Sequence, residues 1–214
     1  MRNLRKRINW FKSLPNSVVA SFTYIVCNVL VRGISFITLP IFTRILDQSE
    51  YGILTMYTSW SELFALFGTL TIWGGVFNSG MIHFEGKRES YVSSVQGFGI
   101  SYSLVFCSIC VFLSPQIGSV LKLNQFLIIC MFVHIIAQIP YNIWLSAQKF
   151  EYKYKPVLLV SIANSIINPI LAFILVYSAK SYRVEARVAS GVFVELVFGI
   201  VLFILNYSKG KSSI

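Results

Sequence analysis

Apolar residues run through this chain in six long blocks, near Val18 to Ile45, Tyr51 to Phe77, Val92 to Leu113, Leu123 to Ala147, Pro156 to Tyr177 and Val188 to Tyr207, with short polar stretches between them. Each block is long enough to cross a bilayer, for which a helix needs roughly 20 predominantly apolar residues. The blocks read as helices because they are continuous, whereas strands of a membrane barrel would be about ten residues long with strict alternation. The pattern predicts an all-α integral membrane protein: a basic segment at 1–17, a bundle of six transmembrane helices over 18–207, and a short tail at 208–214. The connections are too short to hold a soluble domain.

Polar residues inside the blocks are not scattered. At about 100° per residue, Ser21, Asn28, Arg32, Ser35 and Thr43 share a narrow arc of the first helix, with Tyr24 at its edge. Tyr51, Thr55, Thr58, Ser59, Glu62 and Thr69 share a face of the second. Counted from the turn between the two helices, Arg32 and Glu62 lie at similar depth, roughly 18–20 Å along an antiparallel pair. The stripes are therefore expected to face each other. A charge at mid-membrane costs about 2.5–3.5 kcal/mol on insertion scales, so it is expected to face a bundle interior or an aqueous cavity. The alternative is an Arg32–Glu62 ion pair that serves helix packing alone.

Later helices repeat the theme. His134, Gln138, Tyr141 and Asn142 cluster in the fourth block; Ser161, Asn164, Ser165 and Asn168 cluster in the fifth; Glu195 lies in the sixth between Gly191 and Gly199. Interhelical hydrogen bonding and small-residue packing account for much of this without any substrate. His134 reads as a packing residue, and Glu195 reads as a packing or partner contact as readily as a cavity lining. Pro40, Pro140 and Pro169 each remove a helical hydrogen bond and are candidate hinges or static kinks.

Composition agrees with the blocks: 56% hydrophobic, 12% charged, mean hydropathy +0.70, against roughly 45–50% apolar and about 25% charged in soluble domains. The net charge of +10 does not point to nucleic acid, because the cations flank the span ends, where anionic lipid and insertion rules account for them. With the N-terminus inside, twelve of the eighteen Lys and Arg fall on inner segments and five on outer ends and loops, among them Lys180, Arg183 and Arg187. That bias places both termini in the cytoplasm. Leu4, Ile8 and Phe11 share a face among the N-terminal cations, as in a helix lying on the inner leaflet or, alternatively, a disordered basic tail.

Cys27, Cys107, Cys110 and Cys130 all sit in apolar blocks and read as small buried apolar residues. His83 and His134 stand apart from any cluster that would hold a metal, and no cofactor is expected. There is no P-loop sequence, and Asp47 is the only aspartate, so an enzyme is not expected.

The first stripe also carries a resemblance. The segment RGISFITLPIFTRILDQSEYG, residues 32–52, resembles the first helix and following turn of bacterial polysaccharide transporters, the O-antigen and capsule flippases of the multidrug, oligosaccharidyl-lipid and polysaccharide exporter superfamily. The matching positions are Arg32, Leu39 with Pro40, Thr43 with Arg44, and Tyr51 with Gly52. Gly74 to Glu89 and Trp144 to Pro156 are similar to the family's inner connections.

The resemblance implies a transporter of the bacterial cytoplasmic membrane that moves a polyprenyl-pyrophosphate-linked oligosaccharide from the inner to the outer leaflet, by alternating access of a cavity between two similar bundles. This chain corresponds to the N-terminal bundle. Its implied partners are the lipid-linked oligosaccharide, membrane lipids and a second six-helix bundle, either another copy or a separate half. Arg32 is the candidate pyrophosphate contact, since its planar donor fork suits that group. Asn28, Ser35, Thr58, Glu62, Gln138, Asn142, Asn164 and Asn168 are candidate cavity residues for sugar hydroxyls, with Glu62 also the first candidate for a titrating group. A cation-coupled drug exporter of the same superfamily, an inactive truncated product and a membrane scaffold stay open beside this reading.

Overall fold

A computed structural model describes residues 15–179 and 181–212; the surface helix expected near Leu4 to Phe11 lies outside them. Among the described residues there are eight α-helices: α1 (Asn16–Ile45), α2 (Gln48–Thr69), α3 (Gly75–His83), α4 (Arg88–Phe112), α5 (Ser114–Leu121), α6 (Gln125–Phe150), α7 (Tyr154–Ser178) and α8 (Arg183–Ser212), with a 3-10 turn at Glu85–Lys87. The fold is all-helical as expected, but the count of six is not what the backbone forms.

Local breaks explain the difference. The second block does not run through to Phe77: Leu70 and Thr71 take left-handed conformations, φ 50° and 47°, a region that costs an L-residue about 1–2 kcal/mol. The Thr69 hydroxyl holds that turn, donating to Ala65 O at 2.7 Å and accepting from Thr71 N at 3.2 Å. The chain then restarts as α3 after Gly74. The third block ends at Phe112, and α5 begins with Pro115 in its first turn, where a missing amide donor costs nothing. The tight α1–α2 turn is fixed by a capping box, in which Glu50 N donates to Asp47 Oδ1 at 2.8 Å and Asp47 N to Glu50 Oε2 at 2.9 Å.

Five helices, α1, α4, α6, α7 and α8, are long and apolar enough to cross a membrane, so this is a multi-pass membrane protein. The 22-residue α2 is not among them, because Glu50, Glu62 and its row of hydroxyl side chains lower its apolarity.

The core is built around α6. Leu127, Ile128, Met131, Phe132 and Ile135 pack with Tyr57 of α2, Cys107 and Cys110 of α4, and Val184, Val188 and Val192 of α8. All four cysteines are buried and free. The α6–α8 pairing is the most extensive in the bundle, and the two helices run parallel: Asn124, capping α6, donates from Nδ2 to Glu185 Oε1 at 2.6 Å. Gly199 permits their close approach, since a Cβ there would lie 2.6 Å from Ala137 O. Toward the other end, Phe77 and Met81 of α3 and Val92 of α4 pack against Ile139, Ile143 and Ala147. That end carries Lys87, Arg88, Lys149, Lys153 and Lys155 and is called here the basic end.

One expectation about packing is corrected. α1 packs on α7, not face to face with α2: Phe42 and Leu46 bury with Ala172 and Val176 of α7, and Tyr24 packs beside Val157 and Leu202. Past the turn, α1 follows the apolar surface of α7 and leaves α2 to pack on α6.

Candidate functional site

Of the cluster expected on the fourth block, only Tyr141 lines a groove, together with Leu145 and Lys149 further along the helix. At about 100° per residue, His134, Gln138, Tyr141, Leu145 and Lys149 fall within an arc of about 80° on α6. Its lower part, from Tyr141 to Lys149, forms one wall of a groove of about 360 Å³. The opposite wall is the polar face of α7, with Ser161, Asn164, Ser165 and Asn168, and α1 closes the side with Asn28, Ser35 and Thr38. The groove exists because α6 and α7 make little direct contact while each packs on α8.

Of the residues expected at a site, Asn28, Ser35, Asn164 and Asn168 are brought together here. Ser35 Oγ donates back to Val31 O at 3.1 Å, leaving its lone pairs to the groove, and the Tyr141 hydroxyl interacts with Asn164 and Ser161. Pro169 lines the groove wall. Pro40, Pro140 and Pro169 all lie within continuous helices.

The remaining candidates do not join. Arg32 is exposed on α1 and does not line the groove; Glu62 and Thr58 are exposed on α2. No Arg32–Glu62 ion pair forms among the described residues, because α1 and α2 diverge beyond their turn. Thr58 Oγ1 donates to Thr55 O at 2.9 Å, within its own helix. Asn142 Nδ2 likewise donates to Gln138 O at 2.9 Å, while the Gln138 Nε2 amide is buried with no partner.

Two residues that sequence reasoning placed elsewhere are central. Arg187, counted with an outer loop, lies one turn inside α8 and lines the groove. Its Cζ sits 4.9 Å from the centroid of the Phe42 ring, and Nη1 donates to Asn168 Oδ1 at 3.4 Å. Because the hydrogen bond is long and its acceptor neutral, the guanidinium keeps donor capacity and its full charge for a ligand. Lys149, counted only for topology, lines the same groove at the basic end, and its ammonium has no ionic or hydrogen-bond partner among the described residues. The groove thus holds two cations and no carboxylate.

Above the groove, His134 Nδ1 lies 3.0 Å from Glu195 Oε2, across α6 and α8. The register is set at the helix starts, where Asn124 meets Glu185, and each partner of the pair lies ten residues further along its helix. Among the described residues no group of His, Cys, Asp and Glu is arranged to hold a metal ion.

A second groove, about 420 Å³ and almost wholly apolar, lies along the α1–α7 seam between Ile41, Phe42, Ile170, Phe173 and Ile174. It shares Ile34, Thr38 and Pro169 with the polar groove.

No curated protein and no solved structure matches the chain. A family model described as "polysaccharide biosynthesis protein" matches residues 18–213, from α1 through α8. A match that spans every helix described above makes this chain a member of the polysaccharide biosynthesis protein family.

Proposed function

We propose that this protein is a carrier, not an enzyme, and that it forms one half of a transporter in the bacterial cytoplasmic membrane, with both termini in the cytoplasm. It moves a polyprenyl-pyrophosphate-linked oligosaccharide across that membrane for surface polysaccharide such as O-antigen or capsule. The observation that carries this reading is the adjacency of the two grooves, one polar and cationic, one apolar, sharing Ile34, Thr38 and Pro169. An amphiphile with an anionic, hydroxyl-rich head and a hydrocarbon tail needs both surfaces side by side. Arg187 and Lys149 offset phosphate charge, Asn28, Ser35, Asn164 and Asn168 offer partners to sugar hydroxyls, and the α1–α7 seam takes the chain. The absence of a carboxylate from the polar groove speaks against a cation-coupled drug exporter as the cargo reading.

Arg32, Thr58 and Glu62 are assigned a different place. Exposed polar and charged side chains on membrane-length helices are costly against lipid, so this face is where a second bundle docks, a further copy or a separate half. Arg32 and Glu62 then line a cavity between the bundles.

The test is restoration of surface glycan in a flippase-deficient strain, with the chain expressed alone and with a candidate second half. Export that depends on Arg187 is expected at matched abundance. Failure of every combination to restore glycan, with the protein stably inserted, would favour a scaffold or an inactive product.

A further inference from the structure

We propose that the hollow at the basic end, between α3, the start of α4 and the last turn of α6, binds the phosphate group of an anionic amphiphile or of a free phosphate compound. The hollow measures about 880 Å³, within the roughly 300–1,000 Å³ usual for small-ligand sites. Arg88, Lys149 and Lys153 line it against one carboxylate, Glu151. That carboxylate is already engaged, with Lys153 Nζ 2.5 Å from Glu151 Oε2, so Lys149 meets no free carboxylate in the hollow and Arg88 meets only the exposed Glu85 at 3.4 Å.

Arg88 is fixed before any ligand arrives. Its Nε donates to Met81 O at 2.9 Å, its Cζ lies 5.1 Å from the centroid of the Phe150 ring, and Nη2 reaches Glu85 Oε1 only at 3.4 Å. A guanidinium held in this way offers its remaining donors to phosphate oxygens with little further ordering of the side chain. The Lys149 ammonium has no ionic or hydrogen-bond partner among the described residues and is free to reach the same anion.

The turn that closes the hollow is independently unusual. α6 ends in a Schellman motif, with Lys153 N donating to Gln148 O at 2.9 Å and Tyr152 N to Lys149 O at 3.1 Å. The left-handed position, φ 54°, is held by Tyr152 where glycine is the usual occupant. Non-glycine residues held in that region cluster at ligand sites, and this one stands exposed on the rim of the hollow. The site rests on its own donors and shape and does not depend on the transport reading. Lys149 also belongs to the polar groove, so an anion held in the hollow lies at the groove's mouth.

The test uses the full chain in nonionic detergent and counts, by native mass spectrometry, retained dioleoyl phosphatidylglycerol against dioleoyl phosphatidylcholine. The wild-type chain is expected to favour the anionic lipid by at least about fivefold, the scale of one or two interfacial cations. Lys149→Gln, which breaks no contact in the fold, and Lys149→Gln with Lys153→Gln are expected to remove that preference. Lys122→Gln, at the opposite end, is expected to leave it intact.

Inorganic pyrophosphate separates the ligand sources. If it displaces the lipid, the site reads phosphate in either form; if it does not, the site reads the lipid headgroup with its chains, and both results support the site. Equal retention of the two lipids by wild type, an unchanged preference in the double variant, or equal loss from Lys122→Gln and Lys149→Gln would overturn it.

Discussion

Arg32 and Arg187 both sit within membrane-length helices, yet the fold treats them in opposite ways. Arg187 is half-buried, stacked on Phe42, in contact with Asn168, and set in a groove walled by four helices. Arg32 stands exposed on α1 with no partner among the described residues. The surroundings of Arg187 are supplied by this chain, whereas Arg32 and Glu62 stand exposed, on the face where we propose that a second bundle docks. Two arginines on membrane-length helices thus meet different surroundings, one a groove within the chain and the other the outer surface of the bundle.

The sharpest way to break that comparison is to remove each arginine. Arg187→Ala is expected to lower glycan export about 10–100-fold at matched abundance, the equivalent of a lost charged hydrogen bond worth roughly 1.5–3 kcal/mol. Arg187→Lys should recover part of the loss, because it keeps the charge without the planar fork. Full export by a well-expressed Arg187→Ala chain would remove the groove from the transport path.

Stability should separate the same regions. Gly199→Ala, in the central α6–α8 contact, is expected to destabilise by about 2 kcal/mol in detergent unfolding, because the new methyl meets a backbone carbonyl that cannot move aside. Gly33→Ala, on peripheral α1 with open space around it, should instead stabilise by about 0.5 kcal/mol through helix propensity. Effects of the same sign at both positions would contradict the packing described.

A smaller effect is expected at the His134–Glu195 pair. His134 Nδ1 and Glu195 Oε2 lie 3.0 Å apart across two membrane-length helices, so a double-mutant cycle with alanine should give a coupling of about 1 kcal/mol, the scale of interhelical polar contacts within a bilayer. The smallest effect belongs to the open face. Arg32→Ala and Glu62→Gln should each shift the stability of the isolated chain by no more than about 0.5 kcal/mol, while weakening its association with a second bundle in co-purification. A large loss of stability in the isolated chain would place Arg32 inside the fold after all.

Much of this was legible in the sequence, and the failures are informative. Hydropathy located the long helices, and periodicity grouped Ser161, Asn164, Ser165 and Asn168 of α7, which line one groove, whereas of the α6 group only Tyr141 does. Hydropathy could not see the break at Leu70 and Thr71, which depends on two left-handed residues and one hydroxyl. The pairing of α1 with α7 was equally hidden: adjacency along the chain suggested α2, and nothing in the first stripe says which neighbour its apolar side will choose. Arg187 was assigned to a loop because the block boundary was drawn after it; the helix begins at Arg183 and carries it a turn inward. Lys149 was read only as a topology signal, although its place on the stripe from His134 through Tyr141 follows from the same 100° count that grouped its neighbours.

The most direct test of the central claim, that the α1–α6–α7–α8 groove receives the head of a lipid-linked oligosaccharide, is photocrosslinking in cells that make the glycan. A photoreactive amino acid replaces Ser165, in the groove wall, or Ile200, exposed on α8 outside the groove. Irradiation should attach glycan-bearing lipid to the chain from position 165, should give little from position 200, and should lose the position-165 adduct when Arg187→Ala is combined with it. Equal labelling from both positions, or a position-165 adduct indifferent to Arg187, would contradict the account.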